Sequence, residues 1–341
     1  MEDTRVGDGP RVSVVVPVYN LADCVGRCID SLLVQTFADF EVICVDDASS
    51  DGTPGVLDAY AKRDGRVRVV TLPRSEGPSV ARNCGVEVAR GELVSFVDGD
   101  DFVSPFYLQI LVDAYDAAGE GSFVKAGNVR GLYERVRDTS WRVPSEGEVR
   151  VLVTESAIRD LLLDRLSVVA WACIAPRELY MEHRFPEGMV FEDHYVVFDH
   201  LAASAVVVAV DTPVYAYVTR PVSLSNPALH DESYPEGMYR AVEHLLDMSR
   251  GWKWDEEVAW AAAWRLALVV RYCQDVEDKR KVRKYYRQAS NYLRANLRSI
   301  VSICEREHLS REQLRKIVIA AASPRIYWLL RMSLKRAGRI K

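Results

Sequence analysis

The chain of 341 residues is 49% hydrophobic and 27% charged, enough apolar sequence for one large or two medium domains with buried cores. Its net charge of -5 is unevenly spread: after Glu312 there are eight Lys and Arg and no acid, leaving 36 basic against 49 acidic residues in the body. An acidic body argues against nucleic acid as partner, seven irregularly spaced cysteines do not make a disulfide framework, and no stretch reaches the roughly 18 apolar residues of a membrane span.

Residues 1–10 are polar and rich in Gly and Pro, a flexible lead without the layout of a signal peptide, so a cytoplasmic protein with reduced, buried thiols is expected. Val12 to Val18 is a near-continuous β-branched run, the pattern of a strand covered on both faces, with Pro17 marking its end. Leu21, Val25, Ile29, Leu32 and Leu33 then recur at helical spacing. A second strand, Val42 to Val45, runs into Asp46 and Asp47. Ala48 to Thr53 is a turn rich in capping residues, and a helix follows to Arg63. Val67 to Val70 is a third strand, and Gly77-Pro78-Ser79 opens a helix through Ala89 with Ser79 as its cap. The fourth apolar run, Val94 to Val97, stops in Asp98, Asp100 and Asp101. Carboxylates so crowded repel one another, and a fold that tolerates them offsets the cost with a cation, a proton or a helix N-terminus.

This alternation predicts an α/β fold, a Rossmann-like and mostly parallel sheet with helices on both faces, whose ligands sit beyond the carboxyl ends of the strands. Both acidic clusters fall on that edge. Further on, Ser104 to Ala118 reads as an amphipathic helix, Phe123 to Ala126 as a strand, residues 128–150 as a charged segment with room for a hairpin, and 206–210 with 213–217 as a strand pair. From Tyr234 the periodicity is helical only, over 238–249, 254–276, 279–297 and 310–322. Trp252, Trp254, Trp260 and Trp264 fit core packing better than a sugar-stacking platform. Residues 324–341 have Leu and Ile on one arc and Arg and Lys on the other, which suits either an anionic membrane surface or docking on protein.

Four segments in order, Ser13-Val-Val-Val-Pro-Val-Tyr-Asn20, Val45-Asp-Asp-Ala-Ser-Ser-Asp-Gly-Thr53, Ala81-Arg-Asn-Cys-Gly85 and Val97-Asp-Gly-Asp-Asp101, together resemble the inverting family 2 glycosyltransferases of the bacterial cell-surface glycan type, with a GT-A fold. The resemblance implies a nucleotide-sugar donor, most commonly a UDP-sugar, whose diphosphate is met by Mn2+ or Mg2+. It implies a DxD element in which Asp100 touches the metal and Asp98, with Gly99 between them, lies nearer the ribose and is a second metal ligand. Asp101 is expected to support them. The backbone of Pro17, Val18, Tyr19 and Asn20 would line the base pocket, Asp46 or Asp47 would bond the base, and Arg82 would reach the nucleotide or diphosphate.

Phe191-Glu192-Asp193-His194 resembles the family's second acidic signature, and the resemblance makes Asp193 the general base, with Glu192 orienting it or the acceptor. A Glu-Asp pair that simply suits a helix N-terminus is compatible with the same residues. Tyr215 to Ser223 resembles a segment whose arginine, here Arg220, closes on the diphosphate. Relatives often carry a lysine two residues after the tryptophan of the segment like Trp171-Ala172-Cys173, and here that place is Cys173.

The expected organisation is a GT-A transferase domain over 11–230 and a helical region over 231–341 with a basic amphipathic end. The expected partners are a nucleotide-sugar donor and a glycan or lipid-linked acceptor, with a second copy of the chain and peripheral contact at the inner face of the plasma membrane also admitted; nucleic acid is not. The absence of a Gln-x-x-Arg-Trp pattern argues against processive synthesis. A sugar nucleotidyltransferase would place a Gly-rich basic loop where Pro17 to Asn20 stand, and a haloacid-dehalogenase-type phosphatase would carry its DxD after the first strand. The remaining alternative is a glycosyltransferase-like scaffold or carbohydrate-binding subunit without turnover.

Overall fold

The computed structural model describes residues 9–220 and 231–322, so the lead before Gly9, Val222 and Ser223 of the Arg220 segment, and the amphipathic 324–341 lie outside the described residues. The chain divides into two compact units that interleave in sequence. The first comprises Met1–Ala157, Val169–Gly188 and Asp199–Pro221, and the second Ile158–Val168, Met189–Phe198 and Val222–Lys341.

The first unit is built on a mixed sheet of nine strands flanked by helices, in the order β3-β2-β1-β4-β8-β6-β9-β5 with β7 also on β9. β1 (Val12–Val18), β2 (Phe40–Asp46), β3 (Val67–Thr71) and β4 (Leu93–Phe96) are parallel to one another, as the strand–helix alternation requires. β1 and β2 are buried almost throughout, which accounts for their unbroken apolar sequence. Their crossover helices are α1 (Val25–Leu33), α2 (Thr53–Arg63) and α3 (Pro78–Val88). Ser79 does not cap α3. Pro78 takes the first helical position after Gly77, whose φ of 89° an L side chain would resist, and Ser79 lies buried inside the first turn.

Beyond β4 the sheet becomes mixed. β8 (Cys173–Pro176) runs antiparallel between β4 and β6 (Ser122–Gly131), with α4 (Tyr107–Ala118) preceding β6 in the chain. No hairpin forms over 128–150. β6 continues to Gly131, a short helix α5 (Tyr133–Val136) follows, and β7 (Val149–Val153) pairs with β9 instead of turning back on β6; α6 (Thr154–Leu162) and α7 (Arg177–Glu182) stand before and after β8 in the chain. Alternate exposure along β7 suits an edge strand with one face covered. The expected strand pair 206–217 is one strand, β9 (Val206–Val218), because β6 accompanies it through Thr212-Pro213 by slipping register at Gly127. The two-residue β5 (Phe102–Val103) closes the far side of β9.

At the amino-terminal edge of the parallel strands Glu41 is buried and saturated. It accepts from Ser13 Oγ at 2.8 Å, Arg68 Nη1 at 2.8 Å, Arg90 Nη2 at 2.7 Å and the Arg90 amide at 2.9 Å. Burial alone would raise its pKa, but these donors hold it down at about 2. The network ties β1, β2, β3 and the approach to β4 together.

In the second unit, α9 (Ser233–Met248), α10 (Asp255–Asp275), α11 (Lys279–Arg306) and α12 (Arg311–Ala321) enclose a core that includes Met238, Trp260, Val269, Leu293, Ile303 and Ile317. Side chains of Asp278 and Ser310 cap α11 and α12. Trp260 is fully buried and Trp264 packs against the same core, whereas Trp252 and Trp254 meet edge to face at 5.9 Å on its margin. The segments carrying Leu163 and Phe191 join this core too. The start of α8 (Glu192–Ala203) therefore belongs with the appendage helices. Among the described residues no helix is long and apolar enough to cross a membrane.

Candidate active site

β1, β2 and β4 end side by side, Val18 in register with Asp46 and Val15 with Phe96, so the turns that follow are neighbours. The 98–101 turn is pressed against the turn after β1. A Cβ on Gly99 would stand 2.9 Å from Leu21 Cδ1 and 3.1 Å from the Pro17 carbonyl oxygen, so only glycine lets Asp98 and Asp100 flank that backbone without displacing it. From behind, Tyr215 fixes the turn: its hydroxyl accepts from the Asp98 amide at 3.1 Å and donates to Asp101 Oδ2 at 2.7 Å. The Val218 amide donates to Asp101 Oδ1 at 2.7 Å. Asp101 is thus fully buried and its carboxylate is occupied by β9; burial, then the charges of Asp100 and Asp98, push its pKa well up.

Asp98 and Asp100 face cations of the chain. Arg82 Nη2 lies 3.0 Å from Asp98 Oδ1, and the arginine is only 5% exposed, with its guanidinium over the Phe185 ring. Asn83 holds that ring in place by bonding the Phe185 backbone twice, at 2.9 and 3.0 Å. Arg220 Nη1 is 3.9 Å from Asp100 Oδ2 and donates to Cys24 Sγ at 2.7 Å. Burial and then the Asp98 charge push Asp100 up to about 6 against the pull of Arg220 and Arg27. Two neighbouring carboxylates are hard oxygen donors of the kind that would suit a divalent ion. Among the described residues no third acidic, His or Cys side chain converges with them.

The Asp46–Asp47 pair splits in the same way. Asp47 accepts from Ser75 Oγ at 2.8 Å and from the amides of Glu76 and Gly77 at 2.7 and 2.9 Å, so its carboxylate shapes the loop before α3. Asp46 accepts only the Ser49 amide, at 3.1 Å, and its buried Oδ2 has no partner among the described residues. An orphaned buried carboxylate oxygen costs about 1–3 kcal/mol or more unless something supplies a donor. Asn20 and Ala48 adopt left-handed φ values of 52° and 55° beside it. Asn20 is held by Ser49 Oγ at 2.9 Å and the Ser50 amide at 2.8 Å, which stitches the turn after β1 to the turn after β2. Tyr19, next to it, is about half exposed.

Cys173 is buried in β8 and pairs in register with Lys125 of β6. The Lys125 ammonium reaches back to this segment, where it is engaged by the Val169 and Trp171 carbonyls.

The structure brings together Pro17, Val18, Tyr19, Asn20, Asp46, Arg82, Asp98, Gly99, Asp100 and Arg220 in the first unit. Glu192 and Asp193 lie in the second, at the first turn of α8 after Phe191, whose φ is 64°. Glu192 is buried, and Asp193 Oδ1 accepts the His194 amide at 2.7 Å. Sequence reasoning did not single out Tyr215 as the anchor of the DxD turn, Lys125, or the buried Arg265 of α10. For Arg265 a signal existed: it interrupts an otherwise apolar stretch, Trp260 to Val270.

Acids and an arginine gather at the carboxyl edge of a Rossmann-like sheet, the arrangement that the resemblance to glycosyltransferases of the GT-A fold implies. Residues 13–168 match the family described as Glycosyl transferase family 2. The chain is 28% identical to an uncharacterized glycosyltransferase, EpsJ of Bacillus subtilis, over 97% of this chain and 98% of that one. It is 44% identical to the succinoglycan biosynthesis protein ExoO of Rhizobium meliloti, though over only 44% of this chain and 41% of the relative. The fold is shared with Staphylococcus aureus TarS 1-349, solved in complex with UDP-GlcNAc, at a TM-score of 0.57 and 20% identity, covering 88% of this chain and 93% of that one.

Proposed function

We propose that this glycosyltransferase is a metal-dependent, inverting, non-processive enzyme. It moves a sugar from a nucleotide-sugar, with a UDP-sugar the first choice, to a hydroxyl of a cell-surface or exopolysaccharide glycan. The observation that carries the reading is the Asp98-Gly99-Asp100 turn, two carboxylates held by neighbouring cations beside an orphaned Asp46 oxygen. The UDP-GlcNAc of the TarS complex supports the donor class, and the polysaccharide role of ExoO supports the acceptor class. The Mn2+ bound with GDP-Man in the mannosyltransferase PcManGT of Pyrobaculum calidifontis, whose fold is shared at a TM-score of 0.53 and 17% identity, supports Mn2+ or Mg2+.

In this reading Asp46 accepts the base N–H and the backbone of 17–20 lines its pocket, while Asp98 and Asp100 would hold the ion, which would supply positive charge to the departing diphosphate. Arg82 and Arg220 bring further positive charge to the diphosphate, and Arg220, tied to Cys24 and Asp100, is placed to exchange those partners for phosphate oxygens. Asp193 removes the acceptor hydroxyl's proton as the new C–O bond forms, and Glu192 orients it.

The test mixes purified protein with Mn2+ and a panel of nucleotide sugars and follows nucleotide release. Turnover of one donor that EDTA stops and Asp193→Asn lowers by about 10²–10⁴-fold is expected. Turnover of none of them would instead leave a carbohydrate-binding scaffold.

A further inference from the structure

The appendage holds a cation that the reaction as described does not use. Arg265 of α10 is fully buried, a rare state for arginine and one that needs partners. Its Nε donates to His194 Nδ1 at 3.2 Å and its Nη1 to the Ala261 carbonyl at 2.9 Å, while Nη2 has no partner among the described residues. The guanidinium lies over the Trp264 ring at 4.3 Å and the Phe198 ring at 5.6 Å, and Trp264 also meets the His194 ring edge-on at 5.6 Å. Accepting from Arg265 at Nδ1 fixes His194 as the neutral tautomer protonated at Nε2. Burial and then the arginine's charge push the pKa of His194 well below its ordinary value.

The rest of the turn is gripped by the same helices. Phe191 stacks on Tyr272 of α10 at 5.5 Å and meets Tyr234 of α9 edge-on at 5.6 Å. A Cβ on Gly237 of α9 would stand 2.3 Å from the Val190 carbonyl oxygen, so the helix backbone lies directly against the chain just before the Glu192-Asp193 pair. The left-handed Phe191 is thereby held in a conformation that costs on the order of 1–3 kcal/mol and persists only when its surroundings impose it. Burial pulls the pKa of Arg265 down to about 10, and the charges of Asp164 and Asp193 oppose that shift.

We propose that Arg265 is a positioning residue for the transfer step, fixing the first turn of α8 through His194 and setting a buried positive charge behind Asp193. The helical appendage is then a working part of the enzyme, because it holds the carboxylate that receives the acceptor's proton. The proposal rests on the reading of Asp193 as that base. A carboxylate displaced by about 1 Å loses on the order of 10²-fold in rate, so removing the strut acts on turnover while leaving the donor's binding alone.

The experiment compares the full-length chain with Arg265→Met, Arg265→Lys, His194→Ala and Asp193→Asn, using the donor identified by nucleotide release. Expected is a 10–100-fold fall in kcat for Arg265→Met and His194→Ala, with donor KM and UDP affinity within about twofold of the parent, and recovery of most of the kcat in Arg265→Lys. The double variant Arg265→Met/His194→Ala is expected to be no worse than the poorer single one, since the two act as a unit. If Asp193→Asn keeps full turnover, the base assignment fails and this proposal with it. If Asp193→Asn is inactive while Arg265→Met and His194→Ala turn over normally, the positioning role alone is overturned. A parallel loss of UDP binding and kcat in both variants would reveal a merely structural residue and also overturn it. Should Arg265→Met not fold, His194→Ala and Arg265→Lys decide in the same terms.

Discussion

The two edges of the parallel sheet treat their carboxylates in opposite ways. At the amino-terminal edge Glu41 is met by five donor atoms of Ser13, Arg68 and Arg90 and held at about 2, so its charge serves to join strands. At the carboxyl edge, a strand's length away, Asp100 is pushed up to about 6 and Asp46 keeps a buried oxygen with no partner among the described residues. Both edges bury acid, but only one leaves it unsatisfied. A fold that tolerates unmet charge on one edge is holding capacity for something that is not part of the chain. Within the carboxyl edge the same division recurs on a smaller scale, because Asp47 and Asp101 are occupied by several protein donors while Asp46 accepts one amide and Asp100 faces Arg220 only at 3.9 Å.

The largest expected effect separates the edges by activity. Asp100→Asn should lower transfer by about 10²–10³-fold, since a neutral amide is a poor ligand for a hard cation. The same change should leave the metal-free protein at least as stable as the parent, because it removes a half-buried like-charge repulsion; a large loss of stability in urea would show that Asp100 is structural after all. Glu41→Gln should do the reverse, costing about 2–4 kcal/mol with specific activity per folded molecule unchanged. Its sign with pH follows from the depressed pKa. The native carboxylate gives up its proton more readily than the unfolded one, so its stabilisation is complete above about 4.5 and is lost as pH falls towards about 2. Urea midpoints of the parent should therefore fall across that window more steeply than those of Glu41→Gln.

A paired substitution tests the smaller division. Asp47→Asn should cost about 1–3 kcal/mol, because one amide cannot accept all three donors that Asp47 now satisfies. Asp46→Asn should leave stability nearly unchanged and weaken UDP binding by about tenfold, a loss of one charge-assisted hydrogen bond. Calorimetry of UDP binding beside urea unfolding reads both, and an exchange of the two outcomes would reverse the assignment of the pair.

Much of this was legible in the sequence, for a physical reason. Strands covered on both faces must be apolar throughout, so a run of Val and Ile that stops in aspartates marks both the strand and its functional end, as at Val42 to Asp47 and Val94 to Asp101. Which aspartate turns inward is set by residues far along the chain, Tyr215 and Val218 for Asp101 and the 75–77 loop for Asp47, and no local pattern encodes that. The fusion of 206–217 into one strand depends on β6 slipping register at Gly127, again a partner's property. Arg265 was missed because helical periodicity alone reads a charge in an apolar helix as a solvated face, while here that position is fully buried.

The smallest expected effect is the sharpest probe of the idea that the carboxyl edge keeps polar groups in reserve. Ser79, in the first turn of α3, is 2% exposed and its hydroxyl has no partner among the described residues. A buried hydroxyl without a partner stabilises nothing in the free protein, so Ser79→Ala should change unfolding free energy by no more than about 0.5 kcal/mol, or raise it slightly. The side chain is small enough that the cavity left behind adds little. If the substitution instead costs more than about 1 kcal/mol, the hydroxyl is bonded in solution and Ser79 belongs with Glu41, Asp47 and Asp101 among the groups that hold the fold. If stability is unchanged while UDP affinity drops, Ser79 joins Asp46 and Asp100, and the reserve extends from the strand ends to the helix that begins beside them.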